Sequence, residues 1–299
     1  MLSTKIASLD FATPLMTGSG TFGHDPAALS FLNPADLGAL VLKTVTPEPR
    51  HGNPVPRMAE FEGGIVNAIG LENKGLAYWQ DTVAPTLEGL PVPVVANAGG
   101  HCADDYVEVV KAFQDMNGVA AIELNLSCPN VQGGILYSTD SIGLAKVVAA
   151  CREVSDKPMF VKLSPNVTDI RPLAKAAADS GADALTVCNT LIGMLVDWRS
   201  RQPVLANGIG GMSGPAVKPV AMHMVSQCAA AVDIPIIASG GAACADDVLE
   251  FIVAGATAVQ IGTAAFLNPA VISQIASDLR SILAQENLTL ADLRGSLKL

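Results

Sequence analysis

Eight short apolar runs rich in β-branched residues alternate with amphipathic stretches along 299 residues, and this predicts an α/β fold: a single (β/α)8 TIM barrel with inserted loops at its C-terminal face. Two further observations support closure into a barrel over an open sheet. The length suits one barrel with insertions. No Gly-x-Gly-x-x-Gly segment opens the first helix, which weighs against a dinucleotide-binding sheet. No linker or low-complexity stretch divides the chain, so residues 1–299 are expected to form one domain.

In chain order the runs are Pro14–Thr17, Ala39–Leu42, Val92–Ala96, Ala121–Leu124, Met159–Leu163, Ala184–Val187, Pro235–Ala238 and Ala258–Ile261. Their interiors are almost wholly apolar, as in strands covered on both faces. Helices are predicted over Ser141–Val154, Ile170–Ser180, Pro215–Val232, Ala245–Val253 and Pro269–Gln285. Two intervals break the rhythm: Thr44–Pro91, rich in Gly, Pro and Asn, and Thr190–Gly214. Long loops after barrel strands commonly build or cover an active site.

Composition narrows the function. A net charge of −10 argues against a nucleic-acid partner, since phosphate backbones call for a basic face. Mean hydropathy is +0.40, yet no run of about 18 apolar residues suggests a membrane span. The opening MLSTKIASLDF lacks a signal-type apolar region, so a soluble cytoplasmic protein is expected. The cysteines, at 102, 128, 151, 188, 228 and 244, contain no C-x-x-C pair, which speaks against a local zinc or iron–sulfur cassette. All but one are expected to be buried, reduced thiols. His24, His51, His101 and His223 have no ligand-like spacing, and no metal site is expected.

Barrel enzymes carry their chemistry at the carboxyl ends of the strands. At or just past the end of each run stand Ser19, Lys43 and Thr44, Asn97, Asn125, Lys162, Asn189 and Thr190, Gly240 and Gly241, and Gly262 and Thr263. Together they read as a lined pocket. The double glycine and the Gly-Thr pair, each leading towards a helix, suit a phosphorylated ligand. Lys43 and Lys162 are either structural ion-pair partners or stabilisers of an anion, and convergence at a barrel mouth favours the second. Asn67, Asn97, Asn125, Asn130 and Asn189 supply neutral donors and acceptors suited to a flat heterocycle. Cys128, in ELNLSCPNVQGG, lies in a turn after the fourth strand. It is either a buried small hydrophobe or a thiolate acting as general base.

As a set, these motifs resemble one family. ELNLSCPN, with NAIGLENKG upstream and FVKLSPNVTDI, CNTLIGM, GGMSGPAVKPVA, IIASGG and VQIGTA downstream, is similar to the class 1 dihydroorotate dehydrogenases from about Ser19 to Phe266. CPNVQGG, VKLSPNVTDI and KPVA resemble class 1B catalytic subunits more than the fumarate-using class 1A. The resemblance implies one FMN per chain, with Cys128 removing a proton from C5 of dihydroorotate while a hydride passes from C6 to flavin N5. It implies substrate contacts from Lys43, Asn67, Ala68, Ile69, Gly70, Leu71, Asn125, Asn130, Asn189 and Thr190. For FMN it implies Ser19, Lys43, Thr44, Asn97, Asn125, Lys162, Cys188, Gly214, Gly240, Gly241, Gly262 and Thr263. Class 1B would add a separate subunit carrying FAD and [2Fe-2S], passing electrons to NAD, in a heterotetramer of two chains of each kind. Position 188 is Cys where the family more often has Ile or Val, and LANGIGG departs from the family's usual basic or polar residue after LAN. Alternatives are a class 1A enzyme, a dihydropyrimidine dehydrogenase-like reductase, against which Asn130 speaks, and a Schiff-base aldolase using Lys162.

Overall fold

The computed structural model describes residues 2–126 and 137–298. Eight parallel strands form the barrel: β1 (Leu15–Thr17), β2 (Leu40–Val41), β3 (Val94–Ala98), β4 (Ala121–Asn125), β5 (Met159–Lys162), β6 (Ala184–Val187), β7 (Ile236–Ser239) and β8 (Ala258–Ile261). From β2 to β8 each pairs with its sequence neighbours in the barrel and β8 pairs with β1, while β1 and β2 are joined by an isolated bridge.

The β1–β2 seam is the weakest, because β2 is only two residues long. A single parallel bridge, Met16 with Ala39, spans it. The fully buried Thr17 extends the pairing with its side chain: its hydroxyl donates to Val41 O (3.1 Å) and accepts from Val41 N (2.7 Å). One hydroxyl thus satisfies two backbone groups that a longer ladder would have paired.

The two-residue period of a strand sorts side chains to opposite faces. Met16, Val41, Val95, Ala121, Phe160, Ala184, Ile237 and Ala258 form an interior cluster with Ile6 and Phe11. The last two come from an N-terminal hairpin, Thr4–Ile6 paired with Leu9–Phe11, which plugs the amino end of the barrel. Burying a side chain such as Phe11 contributes roughly 1.5–3 kcal/mol. The alternate residues, among them Leu15, Leu40, Ile122, Leu124, Val161 and Leu185, pack outward under the helices.

Those helices are α1 (Ala103–Gln114), α2 (Ser141–Glu153), α3 (Arg171–Asp179), α4 (Lys218–Ala229), α5 (Ala245–Val253) and α6 (Val271–Glu286). Their ends follow local chemistry. Asp140 accepts from the N–H groups of Ile142 and Gly143 to start α2. Asn287 closes α6 in the left-handed conformation. The helix expected from Pro215 begins at Lys218, after a 3-10 turn over Pro215–Val217. The strand expected at Val92–Ala96 lies two residues later, since Pro93 has no N–H for the ladder. Three cysteines (151, 188 and 228) are buried, whereas Cys102 and Cys244 are exposed. This corrects the expectation of five buried thiols. Both exposed residues cap helix N-termini, where a side chain meets solvent.

The two long intervals are not loops alone. Met58–Phe61, Gly64–Asn67, Gly210–Ser213 and Leu191–Gly193 form one antiparallel four-stranded sheet, with Gly64–Asn67 and Gly210–Ser213 at its centre. The insertions after β2 and β6 are therefore one structural unit.

Thr17→Val should orphan both backbone groups of Val41 and destabilise the chain by about 2–6 kcal/mol in denaturant unfolding, at roughly 1–3 kcal/mol per unsatisfied buried group. Thr17→Ser should retain most of the stability. A second expectation concerns acid. His24, in the loop after β1, accepts a hydrogen bond from Trp79 Nε1 (3.2 Å). Burial, and then the neighbouring Lys43 charge, lowers its pKa to about 4. An unfolded histidine takes up its proton near 6.5. The unfolded chain thus binds more protons between these values, and stability falls as pH drops through that window. Melting curves of His24→Asn should show a smaller loss than wild type between about pH 6.5 and 4.

Candidate active site

The inward-facing positions change character at the carboxyl end of the barrel. Above the apolar cluster, five strands contribute Asn97 (β3), Glu123 (β4), Lys162 (β5), Thr186 (β6) and Gln260 (β8), all buried. Glu123 is the hub and is inaccessible to solvent. Its Oε1 accepts from Asn97 Nδ2 at 2.7 Å. Its Oε2 accepts from Thr186 Oγ1 and Gln260 Nε2, each at 2.7 Å. The ammonium of Lys162 lies 3.8 Å from the carboxylate and donates to Gln260 Oε1 (3.1 Å) and Ser19 Oγ (3.2 Å).

Sequence reading found Asn97, Lys162 and Ser19 but missed Glu123, Thr186 and Gln260. Those three lie inside strands expected to be apolar. The available signal was the period-two spacing Glu123–Asn125 and the single polar residue in AVQIG. Asn97, expected just past its strand, lies within β3 and opposite Glu123.

Nearer the mouth, a second chain of polar contacts crosses three strand ends. Asn189 Nδ2 donates to Asn125 Oδ1 (3.2 Å), and Asn125 Nδ2 donates to Thr44 Oγ1 (3.3 Å). The Tyr106 hydroxyl, from α1, fixes the backbone of Asn125 at 2.8 Å. Lys43 lies against Gly20, where an added Cβ would come within 3.2 Å of its Cδ. Thr190 packs against Gly211, and Asn67 Nδ2 reaches Gly211 O at 3.3 Å, so substrate-side candidates from both insertions meet at the accessory sheet.

The segment 67–71 serves mixed purposes. Ala68 is buried in a small cluster with Val66 and Leu205, beneath the sheet. Gly70 and Leu71 turn with positive φ, 77° and 56°. Asn73, which sequence reading passed over, holds this turn: its Oδ1 accepts from Thr46 N and Gly75 N, and its Nδ2 donates to Leu71 O. Arg50 and His101 contact each other beside it, on a cleft of about 430 Å³ that also includes Gly70.

At the β6–β8 side, glycines bring backbones together. A Cβ on Gly241 (φ 89°) would lie 2.9 Å from Gly214 O, so only glycine permits that approach. At Gly262 an added Cβ would meet only Thr21, at 3.7 Å, so the backbone there is open. Thr263 Oγ1 bonds to Ser213 Oγ at 2.9 Å. The N–H groups of Ala243 and Cys244 are taken by Asp247 Oδ2. Cys188 is buried, and burial pushes its thiol up to about 12. Cys128 and Asn130 lie outside the described residues, in the segment that begins just after β4.

Comparison with known proteins follows the same line. The family model for dihydroorotate dehydrogenase matches residues 1–283. A relative from Trichlorobacter lovleyi, named dihydroorotate dehydrogenase B (NAD(+)), catalytic subunit, is 48% identical over 99% of this chain and 98% of its own. One from Solibacter usitatus, provisionally named dihydroorotate dehydrogenase A (fumarate), is 45% identical with the same coverage. A crystal structure of the Eimeria tenella DHODH in complex with ferulenol aligns with a TM-score of 0.83, covering 99% of this chain and 88% of that one at 26% identity. A match of this extent, on a barrel with a polar carboxyl end, makes the chain a member of the dihydroorotate dehydrogenase family.

Proposed function

We propose that the chain, as one domain spanning residues 1–299, oxidises (S)-dihydroorotate to orotate for pyrimidine synthesis, with FMN in the barrel mouth. One observation supports this reading above the others. Asn97 Oδ1 is buried and has no hydrogen-bond partner among the described residues, although the amide nitrogen donates to Glu123 Oε1. A fully buried acceptor without a donor is rare and calls for a ligand N–H. The flavin imide supplies one, and the open backbone at Gly262 leaves room for a phosphate, so the residues present fit the group.

When bound, FMN supplies the hydride acceptor. Ser19, Lys43, Thr44, Asn97, Asn125, Lys162 and Cys188 would hold its ring, and Gly214, Gly240, Gly241, Gly262 and Thr263 its ribityl phosphate. Lys162 would offer positive charge to stabilise the electron density the group gains, in a buried site where such a charge acts strongly. Lys43, Asn67–Leu71, Asn125, Asn130, Asn189 and Thr190 would orient the substrate, with amides matching the alternating N–H and C=O groups of its ring. Cys128 would take the C5 proton as the C6 hydride leaves.

The relatives named as NAD(+) catalytic subunits support a separate partner; its carrying FAD and [2Fe-2S], its delivery of electrons to NAD and an assembly of two chains of each kind are part of the proposal. The Solibacter relative's name favours a second reading, in which fumarate is the acceptor. A cytoplasmic location is part of the proposal; none of the described helices is long and apolar enough to cross a membrane. Family membership removes the Schiff-base aldolase reading, and Lys162 is engaged by Glu123, Gln260 and Ser19.

The purified chain should be yellow and should bleach anaerobically with dihydroorotate but not with dihydrouracil; a colourless chain that takes up no FMN would refute the proposal. Cys128→Ala should keep its flavin yet be reduced about 10²–10⁴-fold more slowly in stopped flow, the usual span of a general base. Reoxidation of the isolated chain by fumarate would favour the class 1A reading. Reoxidation by NAD only with the partner would favour class 1B.

A further inference from the structure

We propose that Glu123 is a positioning residue for the flavin seat: it supplies the charge partner of Lys162 and sets the orientation of the Asn97 amide. This deepens the FMN reading and rests on it.

The geometry carries two separate arguments. An ammonium as buried as that of Lys162 is poorly solvated, and a buried charge is costly unless an opposite charge and hydrogen bonds compensate it. The described titratable groups facing it are Glu123 from β4 and the Cys188 thiol after β6, while the acceptors of its hydrogen bonds, Ser19 Oγ and Gln260 Oε1, are neutral. Glu123 is thus the anion among these neighbours. The second argument concerns Asn97. A carboxylate only accepts hydrogen bonds, so it selects the nitrogen of the Asn97 amide. The planar amide then points its oxygen away from Glu123, which leaves Oδ1 as the unpartnered acceptor described above.

A glutamine at position 123 would undo both at once. It carries no charge to pair with Lys162. Its own NH2 would also face some of the three donors that now meet the carboxylate. An interchange, Glu123→Gln with Gln260→Glu, separates the two roles. Position 260 already bonds Lys162 at 3.1 Å, so a carboxylate there restores the charge partner but not the acceptor facing Asn97.

The test measures the two-electron midpoint potential and FMN dissociation constant of wild type, Glu123→Gln and the interchange variant, with melting curves to confirm folding. Loss of the cation should favour oxidised over reduced flavin by at least tenfold in Glu123→Gln, a fall of about 30 mV or more for a two-electron couple. Its FMN affinity should fall about tenfold or more, the scale of one lost hydrogen bond of roughly 1.5 kcal/mol. The interchange should bring the potential back to within threefold of the wild-type equilibrium while FMN affinity stays low. An unchanged or raised potential in Glu123→Gln, or the same loss in both variants, would overturn the inference and leave Glu123 a packing residue. If Glu123→Gln fails to fold, the interchange decides alone: a wild-type potential with weakened FMN binding supports the inference, and any other result overturns it. A wild-type chain that binds no FMN would instead refute the flavin reading itself.

Discussion

A carboxylate cannot be buried alone, and much of the upper half of this barrel is arranged around that constraint. Removing an ion from water costs several kcal/mol even after the protein relaxes. At Glu123 three hydrogen-bond donors and one ammonium converge on the two carboxylate oxygens. Each donor comes from a different strand, so the charge ties β3, β6 and β8 to β4 through side chains as well as through the ladder. Satisfying the carboxylate fixes the rotamers of its partners. That is how a group inaccessible to solvent can order the side chains around it.

The barrel is accordingly divided along its axis. Below, the interior is apolar and sealed by Ile6 and Phe11 of the N-terminal hairpin. Above, it is polar, with the glycine-rich turns after β7 and β8 meeting the end of the inserted sheet at Gly214 and Ser213. The outer core, between strands and helices, is continuous and apolar and supplies most of the burial. The chain therefore keeps its stability at the base and around the outside and its chemistry at the open end. The pair Lys218–Asp247 (2.5 Å) follows the same division: it joins α4 to α5 behind the β7 turn, and it directs Asp247 to cap Ala243 and Cys244.

The strand–helix alternation was legible because buried parallel strands need apolar residues on both faces, and Ala184–Val187 and Ala258–Ile261 were recovered to the residue. Elements lacking that signature were harder to read. The strands of the accessory sheet are short, partly exposed and interrupted by glycine, so Gly64–Asn67 and Gly210–Ser213 resemble loops locally and become strands only by pairing with each other 144 residues apart, as Asn67 does with Gly211. The rim of the site was legible for the opposite reason: Lys162 and Asn125 are polar residues ending apolar runs. Its floor was not, because Glu123 and Gln260 sit where one expects apolar side chains, and only the closed barrel shows that they face one another.

The pairing of Gly64–Asn67 with Gly210–Ser213 also bears on how this protein can change. Insertions that hydrogen-bond to each other are not independent modules. A graft of the region after β2 from a distant relative would leave the edge of the other half unpaired, and an exposed sheet edge invites association with foreign chains. Specificity at this mouth is therefore expected to drift by paired substitutions across the two insertions, with recombination accepted only when both halves travel together.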